Sequence, residues 1–163
     1  MAYWVRAICT ADTVPTIRSL RTWLRDVAGF ADADVPGERP KALDSAAWKS
    51  FELVYDPARA SVLVECHRNT GPRSLCAREL REELEALDGV ADSEAKRRVV
   101  DGLSRARFVI CCTVAGDPRH REAFRVRSVL DYFVDHCGAM LDTEDEGFYS
   151  CSDLPLLGPC AEG

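Results

Sequence analysis

Apolar residues follow two patterns along the chain. Some form short unbroken runs, and between these runs others recur every three or four residues, which we call stripes. The runs at residues 3–10 and 108–114 predict β-strands, and the second is typical of a central strand covered on at least one face. Residues 50–56 and 61–67 predict two further strands joined by a hairpin, since Pro57 presets a turn dihedral. Two short strands, Ala139–Asp142 and Gly147–Cys151, flank the acidic turn that lies between them.

The stripes predict helices. The first helix carries Ile17, Leu20, Leu24 and Val27, is capped by Asp12 or Thr13, and ends at Gly29. The remaining three are expected to begin or end at typical capping and stop residues: Ser74, Ser93, Asp117 with Pro118, and Gly138. The polar segment from Phe30 to Ala47 reads as a long surface connection with room for one helical turn.

This order of elements predicts an α+β fold. The outer blocks, 3–67 and 108–151, each read as a βαββ unit, and each opens with an apolar strand ending in Cys-Thr, at Cys9-Thr10 and at Cys112-Thr113. We therefore expect one domain over residues 1–153, built from a duplicated βαββ unit with 74–106 as an inserted helical pair. Residues 154–163 are expected to form an irregular tail. The alternative is a ferredoxin-like βαββαβ core followed by a C-terminal hairpin.

Composition narrows the possible partners and compartment. The chain has 163 residues, of which 47% are hydrophobic and 29% charged, the balance of a globular domain. Its net charge of −6 argues against broad binding to nucleic acid or to an anionic membrane surface. The N-terminus has no signal-peptide pattern and no stretch is long enough to cross a bilayer, so we expect a cytoplasmic protein with free thiols.

No residue pattern indicates a known catalytic or cofactor site. Cys66 and His67 are neighbours on a strand, so their side chains point to opposite faces and cannot form a nucleophile–base pair. The cysteines near the C-terminus lack the paired spacing of structural zinc sites, and we expect no metal or cofactor. The glycines form no phosphate-binding loop. Most cysteines are therefore expected to pack in the core.

Two charged groups remain as candidate binding sites. Arginines on the first and last helices are candidates for holding an anion if the two units face one groove. These arginines are Arg18, Arg21 and Arg125. The simpler interpretation is that they form a solvated helix face. The acidic hairpin at 142–149 is a candidate protein-binding edge because charge steers association and aromatic residues anchor interfaces. Its candidate residues are Asp142, Glu144, Asp145, Glu146 and Tyr149.

The chain resembles small bacterial immunity proteins that accompany polymorphic toxins. The resemblance lies in its size, its acidity and the stretch from Leu141-Asp142 to Glu146-Gly147-Phe148-Tyr149. The element order is also similar to that of the gyrase-inhibitor-like proteins, which are duplicated βαββ proteins. That second resemblance implies a small-molecule groove between the units with an acidic residue in it, here Glu52 or Glu65.

These observations favour a non-enzymatic, cytoplasmic protein-binding module. The first resemblance implies an immunity-type inhibitor that occludes a basic toxin or effector. The alternative is a small-molecule sensor or an enzyme that uses the groove between the two units. The sequence predicts no nucleic-acid or membrane partner.

Overall fold

A computed structural model describes residues 2–55, 60–115, 122–143, 147–151 and 154–158. It is an α+β fold built on one antiparallel sheet, with helices on both faces. Within the described part of the chain the sheet has seven strands, which are β1 (Ala2–Cys9), β2 (Ser50–Leu53), β3 (Val62–Arg68), β4 (Phe108–Ala115), β5 (Met140–Thr143), β6 (Gly147–Cys151) and β7 (Leu154–Leu157).

Three of the helices in the described residues begin after a serine or threonine whose hydroxyl caps the helix. The described helices are α1 (Ile17–Asp26), α2 (Pro40–Leu43), α3 (Leu75–Ala86), α4 (Glu94–Arg105) and α5 (Glu122–Cys137). Ser74 and Ser93 cap α3 and α4, as predicted: each serine oxygen accepts a backbone N–H three residues on. The expected cap of α1 was wrong: Thr16 rather than Asp12 or Thr13 takes this role, because the helix begins after Pro15.

The strand order is β2-β3-β4-β1-β5-β6-β7, and every neighbouring pair is antiparallel. Strands β4 and β5 flank β1 and therefore run parallel to each other. Helix α5 connects them and packs across β1. Thus β1 and β4 occupy the middle of the sheet, which explains the unbroken apolar run at 108–114.

The core is divided by the sheet into two layers. On one face, α1 and α5 cover alternate strand residues such as Ala7, Val64 and Ile110. On the other face, α3, α4 and the 3₁₀ turn at Leu87–Gly89 cover Ile8, Val109 and Met140. The helical pair at 74–106 is therefore the second helix layer of a single sheet.

The duplication is not confirmed by this strand order. A two-fold axis between β1 and β4 would place equivalent strands on either side. Instead, β3 (the third strand of the first unit) lies beside β4, whereas β5 (the second strand of the second unit) lies beside β1. The two Cys-Thr pairs are also not equivalent, since Cys9 ends β1 and Cys112 lies inside β4 opposite Val5.

Two further expectations were wrong. A ferredoxin-like core needs β1 next to β3, but β4 lies between them. The expected irregular tail contains β7, which pairs with the free edge of β6. Pro155 interrupts the register of that pairing, as proline does on an edge strand, where a missing N–H is tolerated.

The connection between α1 and β2 is held on the surface of α1 by ordered contacts, and it includes the expected helical turn, α2. Its apolar residues Ala33, Val35 and Leu43 are buried in the core. No helix in the described ranges is long and apolar enough to span a membrane.

Candidate functional site

Four side chains lie in one row across the middle of the sheet, on the face that α3 and α4 cover. The register places Glu65 of β3 opposite Cys111 of β4, Cys111 opposite Arg6 of β1, and Arg6 opposite Asp142 of β5. Directly opposite residues point to the same side of an antiparallel sheet. The topology thus brings together four polar side chains that are far apart in sequence.

Arg6 is the centre of this row. Its Nε atom lies 2.9 Å from Oδ2 of Asp142, and its Nη2 atom donates both to that oxygen and to Oε1 of Glu83 on α3. The side chains of Arg6 and Asp142 are 14% and 7% exposed, so both charges are largely removed from water. The triad therefore joins the hairpin strand β5, the central strand β1 and helix α3 through one guanidinium.

Burial affects the two main partners in different ways. Desolvation alone would lower the pKa of Arg6, but the two carboxylates outweigh it and hold the pKa above its ordinary value. Desolvation raises the pKa of Asp142, and the attraction of Arg6 opposes this only in part. The nearby charge of Glu83 acts in the same direction as burial. The ion pair therefore stabilises the charged form of Arg6, whereas for Asp142 it offsets only part of the cost of burying a carboxylate.

The thiols beside the triad are protonated at neutral pH. Burial raises the pKa of Cys111 to about 12 and that of Cys76 to about 11, although Arg6 lowers both. A thiolate, not a thiol, is the reactive nucleophile. The row accordingly offers charge and hydrogen bonding rather than nucleophilic chemistry.

The helices leave part of this sheet face uncovered. Beyond the row, Leu63 of β3 is 37% exposed and lies between Glu52 of β2 and Thr113 of β4. A shallow depression of about 400 Å³, lined in part by Glu65 and His67, borders the same area. We call Glu52, Leu63, Glu65 and Thr113 the open face.

The carboxylates of the open face have no basic partner within the described residues. Glu52 and Glu65 take part in no ion pair there, and neither does Glu79 of α3, which is close enough to Cys111 to affect its charge state. Arg6, the nearest buried cation, is already bound by Asp142 and Glu83. Within the described residues, the open face therefore combines two carboxylates with an exposed leucine, and Lys49 and Arg68 line the adjoining depression.

Asp142 and Tyr149, the two described residues of the predicted protein-binding edge, lie on opposite faces of the sheet. Asp142 is not on the surface, because it is buried beneath α3 against Arg6. Tyr149 pairs with Leu141 and packs against the core on the α5 side of the sheet, away from Asp142. Alternation along the strands causes this separation. Glu144, Asp145 and Glu146 lie outside the described residues.

Two of the three predicted anion-binding arginines, Arg18 and Arg21, are paired with carboxylates. Arg18 donates to both carboxylate oxygens of Asp44, and Arg21 lies 3.0 Å from Asp34. Together with Arg25, which donates to the Ala33 carbonyl, they fasten the connection between α1 and β2. The side chain of Arg125 lies outside the described part. The structure thus gives Arg18 and Arg21 internal carboxylate partners instead of a free anion site.

Sequence reasoning missed Arg6 and Glu83. A signal was present for Arg6, since it is the one charged residue inside the apolar run at 3–10. A buried charge needs a partner, so this position predicts a carboxylate nearby in the fold. Nothing in the sequence distinguishes Glu83 from the other glutamates of α3.

Comparison with known proteins adds no family to this picture. The chain matches no protein-family model, and neither the curated proteins nor the solved structures include one similar to it.

Proposed function

We propose that this protein is a non-enzymatic binding module whose open face docks a basic region of a partner protein. In its most concrete form it is an immunity-type inhibitor that covers a basic toxin or effector. The observation that carries this proposal is the uncovered part of the central sheet, where Glu52 and Glu65, which form no ion pair with any described residue, lie beside the exposed Leu63.

The chemistry of the open face fits lysine or arginine side chains. Carboxylates without internal partners are available to pair with a cation, and complementary charge speeds association and fixes the orientation of the partner. Leu63 supplies the apolar contact that a charged surface alone lacks, since interface cores are depleted of charge. Glu65 is half-buried, which reduces solvent screening of any pair that it forms.

The rigid support beneath the open face also favours binding. Arg6 and Asp142 lie in the same row as Glu65 and are tied to α3 by Glu83, and the open face belongs to strands rather than to loops. A preorganised surface loses less conformational entropy when a partner binds. The raised pKa values of Cys76 and Cys111 support a binding role over thiol catalysis.

The first test is native mass spectrometry of the protein purified gently from its own host under reducing conditions. An added polypeptide mass supports the proposal and identifies the partner. An added small-molecule mass without a polypeptide overturns it in favour of the alternative, a small-molecule sensor.

The second test measures affinity for the purified partner by calorimetry. The double variant Glu52→Lys/Glu65→Lys is expected to weaken binding at least tenfold, about 1.4 kcal/mol, because attraction becomes repulsion. Glu38→Lys/Glu85→Lys, which changes the net charge by the same amount at two exposed positions, is the matched control and should bind normally. Equal affinity for the double variant and the control would reject the open face as the docking site.

The acidic tip at Glu144, Asp145 and Glu146 remains a predicted second contact. Replacing all three with lysine is expected to weaken the same complex while leaving the thermal midpoint nearly unchanged. Unchanged affinity would remove the tip from the interface without affecting the open face.

A further inference from the structure

Among the described strands, β2 forms one edge of the sheet. The strand order places β3 on one side of β2 and no described strand on the other. The opposite edge strand, β7, contains Pro155, whereas β2 contains no proline. Every residue of β2 therefore has a backbone N–H group, and an edge of this kind can pair with a strand from another chain.

The hydrogen bonds to β3 identify the residues of β2 that face inward. The N–H group of Cys66 donates to the carbonyl of Lys49 at 2.7 Å. Hydrogen-bonded and non-hydrogen-bonded pairs alternate in an antiparallel ladder, so the backbones of Phe51 and Leu53 also bond to β3. The residues that alternate with them face the outer edge.

The outward backbone groups of β2 belong to Ser50 and Glu52. Just beyond the strand, the N–H group of Val54 donates to the Asp34 carbonyl at 2.9 Å, and that of Asp34 donates back at 2.7 Å, so the edge is covered there. Ser50 and Glu52 are both exposed, and no described residue outside the β2–β3 ladder forms a backbone hydrogen bond with either. Their N–H and C=O groups are therefore available to an added strand.

The side chains along this edge fit a segment with alternating cations. Ser50 lies opposite Glu65 and Glu52 opposite Leu63, so both point to the open face. A lysine added beside Glu52 would be next to its carboxylate. A lysine added beside Ser50 would extend over the small serine towards Glu65, two strand spacings or about 10 Å away, which its long flexible stem allows.

We propose that the partner contributes an extended basic segment that pairs with the edge of β2 as an additional antiparallel strand. This inference rests on the proposed function, because it specifies the part of the partner that the open face binds. The pairing of Asp34 with Val54 on the same edge is already antiparallel. Backbone hydrogen bonds supply affinity in this mode of recognition, and alternate side chains supply specificity. Because Lys49 and Arg68 border the depression at the Ser50 end, the cation beside Glu52 contributes more.

The test uses a blocked peptide, Lys-Val-Lys-Val-Lys, added to the isotope-labelled full-length protein and followed by NMR. We expect the peptide to shift the amide resonances of Ser50 and Glu52 and to slow their hydrogen exchange. The amides of Phe51 and Leu53 are internal controls, because their bonds to β3 should make exchange slow before and after addition. No shift and no protection at Ser50 and Glu52 with millimolar peptide would overturn the proposal.

A charge-reversed peptide tests the choice of a basic segment. Glu-Val-Glu-Val-Glu has the same alternation and the same backbone, and it should bind at least about tenfold more weakly because it meets Glu52 and Glu65 with like charge. Equal affinity of the two peptides would overturn the basic character of the added strand.

Two substitutions at residue 50 separate the backbone from the side chain. Ser50→Pro removes one outward N–H group and leaves the bonds to β3 in place, since proline is tolerated on an edge strand. Ser50→Ala removes only the hydroxyl and is the matched control. Ser50→Pro should bind the lysine peptide at least about tenfold more weakly than Ser50→Ala. Equal affinity would overturn the added strand, and if Ser50→Pro does not fold, the exchange data on the wild-type protein decide.

The same peptide distinguishes failure of this inference from failure of the proposed function. Glu52→Lys/Glu65→Lys changes side chains of the open face, whereas Ser50→Pro changes the backbone edge. If only the charge reversal weakens binding, the open face binds through side chains and the added strand is wrong. If only Ser50→Pro weakens binding, the edge pairs with a strand and the docking of a basic region is wrong.

Discussion

Asp142 illustrates the difference between a charge that the sequence displays and one that the fold uses. In the sequence it begins an acidic hairpin, yet its carboxylate is buried and bound by Arg6. Removing charges from water is costly, and a partner offsets this cost only when the geometry is good. Arg6 offsets part of this cost, because its Nε and Nη2 atoms both donate to Oδ2 of Asp142.

The pH dependence of stability tests the burial of Asp142. Because its pKa is raised above 3.8, the folded protein holds a proton there more tightly than the unfolded chain does. The free energy of unfolding should therefore fall as pH rises from 3.8 through the raised pKa, with a slope of at most about 1.4 kcal/mol per pH unit. Asp142→Asn should remove this contribution.

Urea unfolding of the wild-type protein and of Asp142→Asn across this pH range measures the effect. Asp92→Asn, at a carboxylate whose side chain is 93% exposed, controls for the loss of one charge. If the free energy of unfolding depended on pH in the same way in the wild-type protein and in Asp142→Asn, the raised pKa of Asp142 would be contradicted.

At the level of elements, the end of α5 depends on a glycine. Gly138 has φ +58°, and a Cβ atom there would lie 3.0 Å from Oγ1 of Thr10. Gly29, which follows α1, likewise has a positive φ. Both stop residues were predicted from the sequence, since only glycine adopts this conformation without steric cost.

Gly138→Ala is expected to destabilise the protein by roughly 1–2 kcal/mol, because it imposes both a left-handed alanine and a close contact. Thermal and urea unfolding measure this change. Gly89→Ala is the matched control, since its φ is not positive and a Cβ atom there would meet nothing within 4 Å. Similar losses of stability in the two variants would contradict the steric cost expected for a side chain at residue 138.

Elements also show the limits of local signals. Ser74 and Ser93 were recognised because a cap acts on residues three positions away. The edge strand β7 was missed because Pro155 and the surrounding glycine and proline residues are typical of irregular structure. Its strand geometry comes from pairing with β6, which the local sequence does not reveal.

For the whole molecule, the helices cover the two faces of the sheet to different extents. Helices α1 and α5 cover one face and pack on strands as far out as β2. Helices α3 and α4 cover only part of the other face, and this unequal coverage creates the open face. The proposed docking surface is therefore a consequence of how the layers are distributed.

Two leucine-to-alanine variants compare the faces with matched chemistry. Leu53→Ala removes a side chain that is 1% exposed and should cost about 2–5 kcal/mol of stability. Leu63→Ala, at 37% exposure, should cost less than about 1 kcal/mol and still weaken partner binding. Chemical unfolding measures both losses of stability, and equal losses would show that Leu63 is as buried as Leu53.

The sequence alone determined the α+β class, most of the elements, the burial of most of the described cysteines, and the serine caps, because these depend on residues close together in the chain. The tertiary structure decided the strand order, the pairing of Arg6 with Asp142, and the pairing of Arg18 and Arg21 with acids of the following connection. These contacts join residues that are too far apart in the chain to produce a periodic pattern in the sequence. Only the packing of β4 between β3 and β1 determines which side chains share a row, and that row supports the candidate site.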